Sequence, residues 1–399
     1  MNSTLKIQLR ILRKPCLFRQ AGEDVPKAFE KIKDSIACPD HRGGNLKTND
    51  IHMNKLYTIF KLIKVIIGIN KFNNANSSYH RAANTLLNEI ISPQLFTKAS
   101  SEMPSNAKSK MRWYMAEFLY TCENIHRLTE THSTIQQKRQ YLLSGALGAM
   151  CDMAIDDINI QDEKIQLLKR PRPDVEYSDP VEKIYITFYF AFFNSLEEGI
   201  KQRCRLYYEL LFDAQVQSKR QLTQNLTQQE VDFICKEKGG YSLLFLRSLV
   251  PEELNKQEKE AWYELGAYIQ YCNDSQDLHK DLLKKMQTFA SVRQNLQKIM
   301  GDLESQKFIA FSQIKKTRFK RDKLDYFLLI LHVMHVGILA KLHVFSALCD
   351  FNFTPAKFLT KSRQEVRTKT NIRSLLGYSF SRVLDYQYET VEAPVISKD

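Results

Sequence analysis

Glycine and proline are scarce, 13 and 11 in 399 residues, about 6% together where an average chain carries roughly 12%. Hairpins and β-turns consume those two residues, so the shortage excludes a turn-rich sandwich or barrel, and also a collagen-like or disordered chain. Cysteine is present eight times, from Cys16 to Cys349, but never as CxxC and at no regular spacing. Reduced thiols in a cytoplasmic protein are therefore expected rather than a disulfide framework. No apolar run reaches the ~20 residues of a membrane span. The longest candidate, Phe327 to Ala340, also carries His332 and His335 and reads as a buried core helix. The N-terminal MNSTLKIQLRILRKP is basic but has no apolar h-region, so no signal peptide is expected. GxSxG, P-loop and GxGxxG patterns are missing, which removes the usual sequence warrants for an α/β hydrolase, an NTPase or a dinucleotide enzyme.

What remains is plentiful apolar material, 43% with 11% aromatic, enough for a large helical core. The formal charge of +13 calls for anionic partners such as nucleic acid, anionic lipid or a phosphorylated small molecule. No nucleic-acid motif accompanies the basic runs at 315–321 and 357–373, so most of them read as solvated faces and no specific nucleic acid is expected.

Along the chain, residues 1–50 mix charges with breakers and read as an extension. Residues 51–350 carry helical periodicity without a linker or repeat, and 351–399 read as a basic, weakly periodic tail. Helices are expected at about 109–128, 134–168, 255–300, 303–319 and 322–349. VEKIYITFYFAFFNSL and the segment after it form a helix pair by continuity. Thr227 and Glu230 form a capping box, and the helix they open is expected to be interrupted at Gly239-Gly240. His332 and His335 stand at i, i+3 without an acidic or HExxH partner, which reads as a packed pair.

Two segments carry the chemistry. In LSGALGAMCDMAIDDINIQDE, Asp152 and Asp156 share a helix face, with Asp157 beside them; Gly145, Gly148 and Ala149 leave the upstream part of that face bare. In WYELGAYIQYCNDSQDLHKDLLKK, Asn273, Asp277 and Asp281 recur at i, i+4 and i+8, with Asp274 adjacent and Gly266 as the bare position upstream. Carboxylates in an apolar window are costly unless paired or bound to a cation. All-oxygen ligands at these spacings fit a hard ion such as Mg²⁺. Bare positions beside them fit the wall of a ligand cavity, although either stripe alone also reads as a solvated face.

Taken together these residues resemble the class I isoprenoid (terpenoid) synthase superfamily. Asp152-Met-Ala-Ile-Asp156-Asp157 looks like the DxxxD(D) aspartate motif of squalene and phytoene synthases and of bacterial large-terpene synthases. Asn273-Asp274-Ser-Gln-Asp277-Leu-His-Lys-Asp281 is similar to the NDxx(S/T)xxxE motif of terpene cyclases. It departs from that motif at Asp277 and Asp281, and it also contains the DxxD of prenyltransferases. LYYELLFDAQVQSKRQL resembles a helix of the large-terpene synthases, and Lys238-Gly239-Gly240 the helix break between the two metal helices. The resemblance spans roughly Thr58 to Ala347.

It implies an all-α fold, a single large helical bundle with a central active-site cavity, holding three Mg²⁺ ions on Asp152, Asp156, Asp157, Asn273, Asp274, Asp277 and Asp281. Diphosphate loss from an all-trans prenyl diphosphate would start the reaction. Lys238, Arg170, Arg172 and Lys280 are candidates for holding the diphosphate, with Lys284 and Lys285 nearby. Gly145, Gly148, Ala149, Gly266, Phe188 and Phe192 are candidates for the cavity, with Tyr185, Tyr189 and Phe193; an ordinary aromatic core is the competing reading. Head-to-head coupling or chain elongation stays open beside cyclisation, as do peripheral membrane contact through a greasy substrate and a homodimer. A helical lipid- or nucleic-acid-binding protein is the alternative from another class.

Overall fold

The computed structural model describes residues 78–157, 162–223 and 225–369; the extension expected over 1–50 and the tail beyond 369 lie outside them. All regular structure among the described residues is helical, with no strand. Residues 78–90 form α1, followed by α2 (Pro93–Ala99), α3 (Ala107–Leu128) and α4 (Ile135–Asp152). A π turn, Met153–Asp157, continues α4. Then come α5 (Asp162–Lys169), α6 (Pro180–Asn194), α7 (Glu198–Ser218), α8 (Arg220–Thr223), α9 (Gln228–Ser248), α10 (Lys256–Lys284), α11 (Leu296–Lys315), α12 (Arg321–Leu348), α13 (Pro355–Leu359) and α14 (Arg363–Lys369).

The starts follow from capping chemistry, because side-chain oxygens satisfy amides that have no carbonyl four residues earlier. Reciprocal capping boxes join Thr134 to Gln137, Thr227 to Glu230 and Asn255 to Glu258. Asp179 accepts from the amides of Val181 and Glu182, and Pro180 opens α6, where its missing N–H costs nothing.

Helix α9 is the central element, packing on α10, α7 and α3, while α4 packs on α3 and α6, and α11 and α12 close over α10. Its contact with α10 explains the glycine pair. The expected interruption does not occur: α9 runs unbroken through Gly239 and Gly240. A β-carbon at Gly239 would come within 3.0 Å of the Gly266 carbonyl, one at Gly266 within 3.0 Å of the Gly239 carbonyl, and one at Gly240 would strike the Tyr263 ring. The glycines buy close approach of two helices rather than a break.

The other bare positions are filled in the same way. A β-carbon at Gly145 would meet the backbone of Tyr114 and Met115, and one at Gly148 the ring of Phe118. Gly145, Gly148 and Gly266 are thus helix crossings and not a cavity wall, and Ala149 is fully buried. Phe188 and Phe192 are fully buried as well. Phe192 sits edge-on to Phe245, and Phe193 to Tyr208, so the aromatics of α6 fill the space against α7 and α9 as core.

Three further expectations shift. The helix foreseen at 134–168 is divided at the π turn. The one foreseen at 255–300 stops at Lys285, whose φ of 56° closes it in the left-handed conformation. The start of the tail is packed, since Phe358 of α13 is fully buried against Phe345 and His279 and Val366 of α14 is buried too. The apolar run at 327–340 belongs to a 28-residue helix, long and apolar enough to cross a membrane by length and composition, with 56% of its apolar window buried. His332 and His335 are buried on it, and His335 meets Glu304 of α11 at 2.8 Å.

Two measurements follow. Alanine normally gains about 1 kcal/mol over glycine inside a helix, but overpacking costs about 1–3 kcal/mol. Gly239→Ala and Gly266→Ala are each expected to lower stability in thermal unfolding; a stabilised variant would show the crossing to be loose. Burial, with Lys307 and His335 adding to it, holds His332 down to about 3, and burial lowers His335 as well. An unfolded histidine titrates near ~6.5, so protons bind the unfolded chain first. The contribution is whole above pH ~6.5 and is lost as pH falls towards 3. His332→Leu should flatten that acid limb relative to the parent chain.

Candidate functional site

Helix α4 delivers Asp152 on its last residue, and the π turn delivers Asp156 one turn on. A π turn is a strained, widened stretch that recurs at functional sites. Gln215 of α7 fixes the pair by donating from its amide nitrogen to Asp152 Oδ1 (3.2 Å) and Asp156 Oδ2 (3.0 Å). Lys110 of α3 approaches Asp152 at 2.6 Å. Lys238 of α9 stands 3.7 Å from Asp152 and 3.6 Å from Asp156.

Across α9 lies the second acidic helix. The crossing at Gly239 and Gly266 brings α10 beside Lys238, and the face it turns inward carries Gln270, Asp274, Asp277 and Asp281. Asp274 is buried and accepts from the Gln270 amide (2.7 Å) and from the Phe289 backbone N–H (3.2 Å). Asp281 accepts from the Thr288 hydroxyl at 3.0 Å. Lys280 bonds Asp277 at 2.8 Å. The segment 286–293 that supplies these donors is itself anchored by Arg293, which grips Asp232 of α9 and Asp302 of α11 and lies 3.7 Å from the Phe289 ring centre.

Charge explains the arrangement. Burial pushes every carboxylate here towards its neutral form. At Asp152 that push is overcome by the Lys238 and Lys110 ammoniums, which hold it down to about 2. Asp156 is raised by burial, which together with the Asp152 charge outweighs Lys238. Lys238 is raised in turn, because Asp156 and Asp152 outweigh the cost of its burial. On α10, burial first and the Asp274 charge second lift Asp281 to about 7, and burial also raises Asp274. Lys280, although exposed, loses some hydration to its neighbours and is nevertheless raised by Asp277, Asp281 and, from the other acidic segment, Asp152. The two acidic segments thus act on the same two ammoniums.

Not every expected residue joins them. Asn273 is exposed, because the 100° step per residue turns it off the face that holds Asp274 and Asp281. The operative stripe is 274, 277, 281 rather than 273, 277, 281. Arg170 pairs with Glu209 on another face of α7, and Arg172 lies beside Asp174, so neither reaches the aspartates. Both are exposed. The side chain of Asp157 lies outside the described residues. Lys110, Gln215, Tyr114, Thr288 and Phe289 were not foreseen. A signal for Gln215 existed: it follows Tyr208 and Phe212 at i+7 and i+3 on a buried stripe, where an amide needs a partner. Lys110 gave none.

Among the described residues no three His, Cys, Asp or Glu side chains converge closely enough to hold an ion alone. The oxygens come instead as the pair Asp152 and Asp156, facing the α10 stripe. No family model matches the chain, and no curated protein or solved structure matches it. If Lys238 is the shared counter-charge, Lys238→Met and Asp152→Asn/Asp156→Asn should be strongly non-additive in denaturant unfolding. A coupling of about 1–3 kcal/mol is expected; simple additivity would show the contacts to be incidental.

Proposed function

We propose that the chain is a Mg²⁺-dependent class I isoprenoid synthase, ionising an all-trans prenyl diphosphate and releasing inorganic diphosphate. The observation that carries this reading is that two acidic segments, about 120 residues apart in sequence, act on the same lysines: Asp152 and Asp156 stand 3.7 and 3.6 Å from Lys238, whose proton affinity Asp274 of α10 also raises, and the charge of Asp152 reaches Lys280. The donor set suits the metal. Mg²⁺ takes one or two carboxylates and completes its shell with water and phosphate oxygens, which is what a two-carboxylate pair without a third ligand leaves room for. Asp274, raised by burial, and Asp281, raised by burial and by the Asp274 charge, are acids that a cation would relieve. Asp152 and Asp156 on one side and Asp274, Asp277 and Asp281 on the other would hold the ions. Bound there, Mg²⁺ would supply charge neutralisation for the leaving diphosphate.

The chain's own residues have their parts. Lys238 and Lys280 would take up diphosphate oxygens as the allylic C–O bond breaks, their hold strengthening as charge develops. Gln215 keeps Asp152 and Asp156 aimed together. The Phe289 amide and Thr288 hydroxyl hold Asp274 and Asp281 on the inner face. Whether the carbocation cyclises, couples or elongates depends on apolar walls that do not include Gly145, Gly148 or Gly266.

A second reading has support of its own. The bare positions are filled by neighbouring helices, and Asp152, Asp156 and Asp277 are already paired with lysines, as in a helical binding protein whose charge cluster is structural. One experiment separates the two. Purified protein given C10 to C35 prenyl diphosphates should release diphosphate with Mg²⁺ and not with EDTA, and Asp152→Asn/Asp156→Asn should abolish release while far-ultraviolet dichroism stays unchanged. No release from any substrate, with the double variant only altered in stability, would favour the structural cluster.

A further inference from the structure

Arg170 and Arg172, excluded from the aspartate site, line a different cavity. It measures about 540 Å³ and lies between the 170–173 segment, the end of α6 and the start of α7. That volume falls in the range of small-molecule sites, about 300–1,000 Å³. Its floor is aromatic: Tyr189, Phe190 and Phe193, with Tyr189 and Phe193 buried and their ring centres 4.6 Å apart. Four cationic side chains, Arg170, Arg172, Lys201 and Arg205, surround it against one lining carboxylate, Glu209.

The carboxylate is already committed. Arg170 grips Glu209 with two parallel hydrogen bonds, Nε to Oε1 at 2.8 Å and the terminal nitrogen to Oε2. Arg205 is held by aromatics instead, 5.5 Å from the Phe193 ring centre, and its charge acts on the Tyr189 hydroxyl. Arg172 reaches Asp174 only at 4.0 Å, and half-buried Lys201 reaches the exposed Glu198 at 3.6 Å, both long pairs open to water on at least one side. Exposed pairs of that kind hold little energy, so three cations keep capacity for an anion. Phe190, perpendicular to the buried Tyr189 ring, keeps a partly open face beneath this positive charge, and that pairing selects a ligand with both a ring and a phosphate.

We infer that this cavity binds a nucleoside diphosphate, its base on the Phe190 ring beside Arg205, its phosphates on Arg172 and Lys201. The rim supplies what such a ligand needs: Asn194 gives an amide donor and acceptor for base edges, and Pro171 and Pro173 stiffen the opposite lip. The site is separate from the aspartate cluster. Glu209 and Gln215 leave α7 about 120° apart, six residues from one another, so the two face different neighbours. The inference therefore stands whether or not the chain acts on prenyl diphosphates.

Calorimetric titration of the full-length protein with ADP, adenosine and inorganic diphosphate, in EDTA so that metal-dependent chemistry is silent, tests it. Saturable one-to-one ADP binding is expected, with adenosine and diphosphate each weaker by roughly tenfold or more, because each keeps only half of the contacts. Arg172→Ala and Arg205→Ala should each weaken ADP by about tenfold. Phe190→Ala should weaken ADP but not diphosphate. Both arginines are exposed, so these variants are expected to fold, which circular dichroism checks. Asp152→Asn/Asp156→Asn should leave ADP binding unchanged. Absence of ADP binding, equal affinity for diphosphate alone, indifference to both arginine variants, or loss in the aspartate variant would each overturn the assignment.

Discussion

One ammonium group organises the centre of this protein. Lys238 projects from α9 towards the paired carboxylates of Asp152 and Asp156, and α10 brings Asp274 to its other side. Two carboxylates a turn apart would repel each other in a low-dielectric interior, and ionisation would be suppressed. The lysine removes that penalty, and with it the reason for α4 to end elsewhere. The close crossing at Gly239 and Gly266 is what makes the arrangement reachable, because helices with β-carbons at those positions would stand further apart and leave the ammonium short of α10. Packing and electrostatics are therefore one constraint here.

The scarcity of glycine and proline, the helical periodicity and the capping signals were sufficient to read an all-helical fold. The helices at 109–128 and 322–349 lie within two residues of where they were expected. The misreadings have physical reasons. A glycine pair inside a helix is compatible with a break or with close approach, and only the neighbouring helix decides; here Gly266 and Tyr263 decide it. The end of α10 is hidden because Lys285, not a glycine, takes the left-handed conformation.

The candidate site was legible in part for similar reasons. Asp152 and Asp156 stood out because their i, i+4 spacing interrupts an apolar window. On α10 four oxygen-bearing residues spread over about a third of the helix circumference, so periodicity could not choose between Asn273 and Asp274 as the inner residue. Contacts from outside the two segments, such as Gln215 and Lys110, depend on tertiary proximity that spacing does not encode. Arg170 and Arg172 were read as following the first acidic segment in sequence, but they lie on another surface, against Glu209 and Asp174.

The anchoring of 286–293 has a bearing on how the α10 carboxylates become accessible. Phe289 and Thr288 cover Asp274 and Asp281, and both sit on a segment whose Arg293 joins α9 to α11 through Asp232 and Asp302. Uncovering one acid by moving that backbone must loosen three elements at once, so the covering behaves as a latch with a threshold rather than as a fluctuating flap. Arg293 is itself buried, and buried pairs are little screened by added salt. Heat, or a ligand that replaces the bonds it breaks, would release such a latch where ionic strength would not.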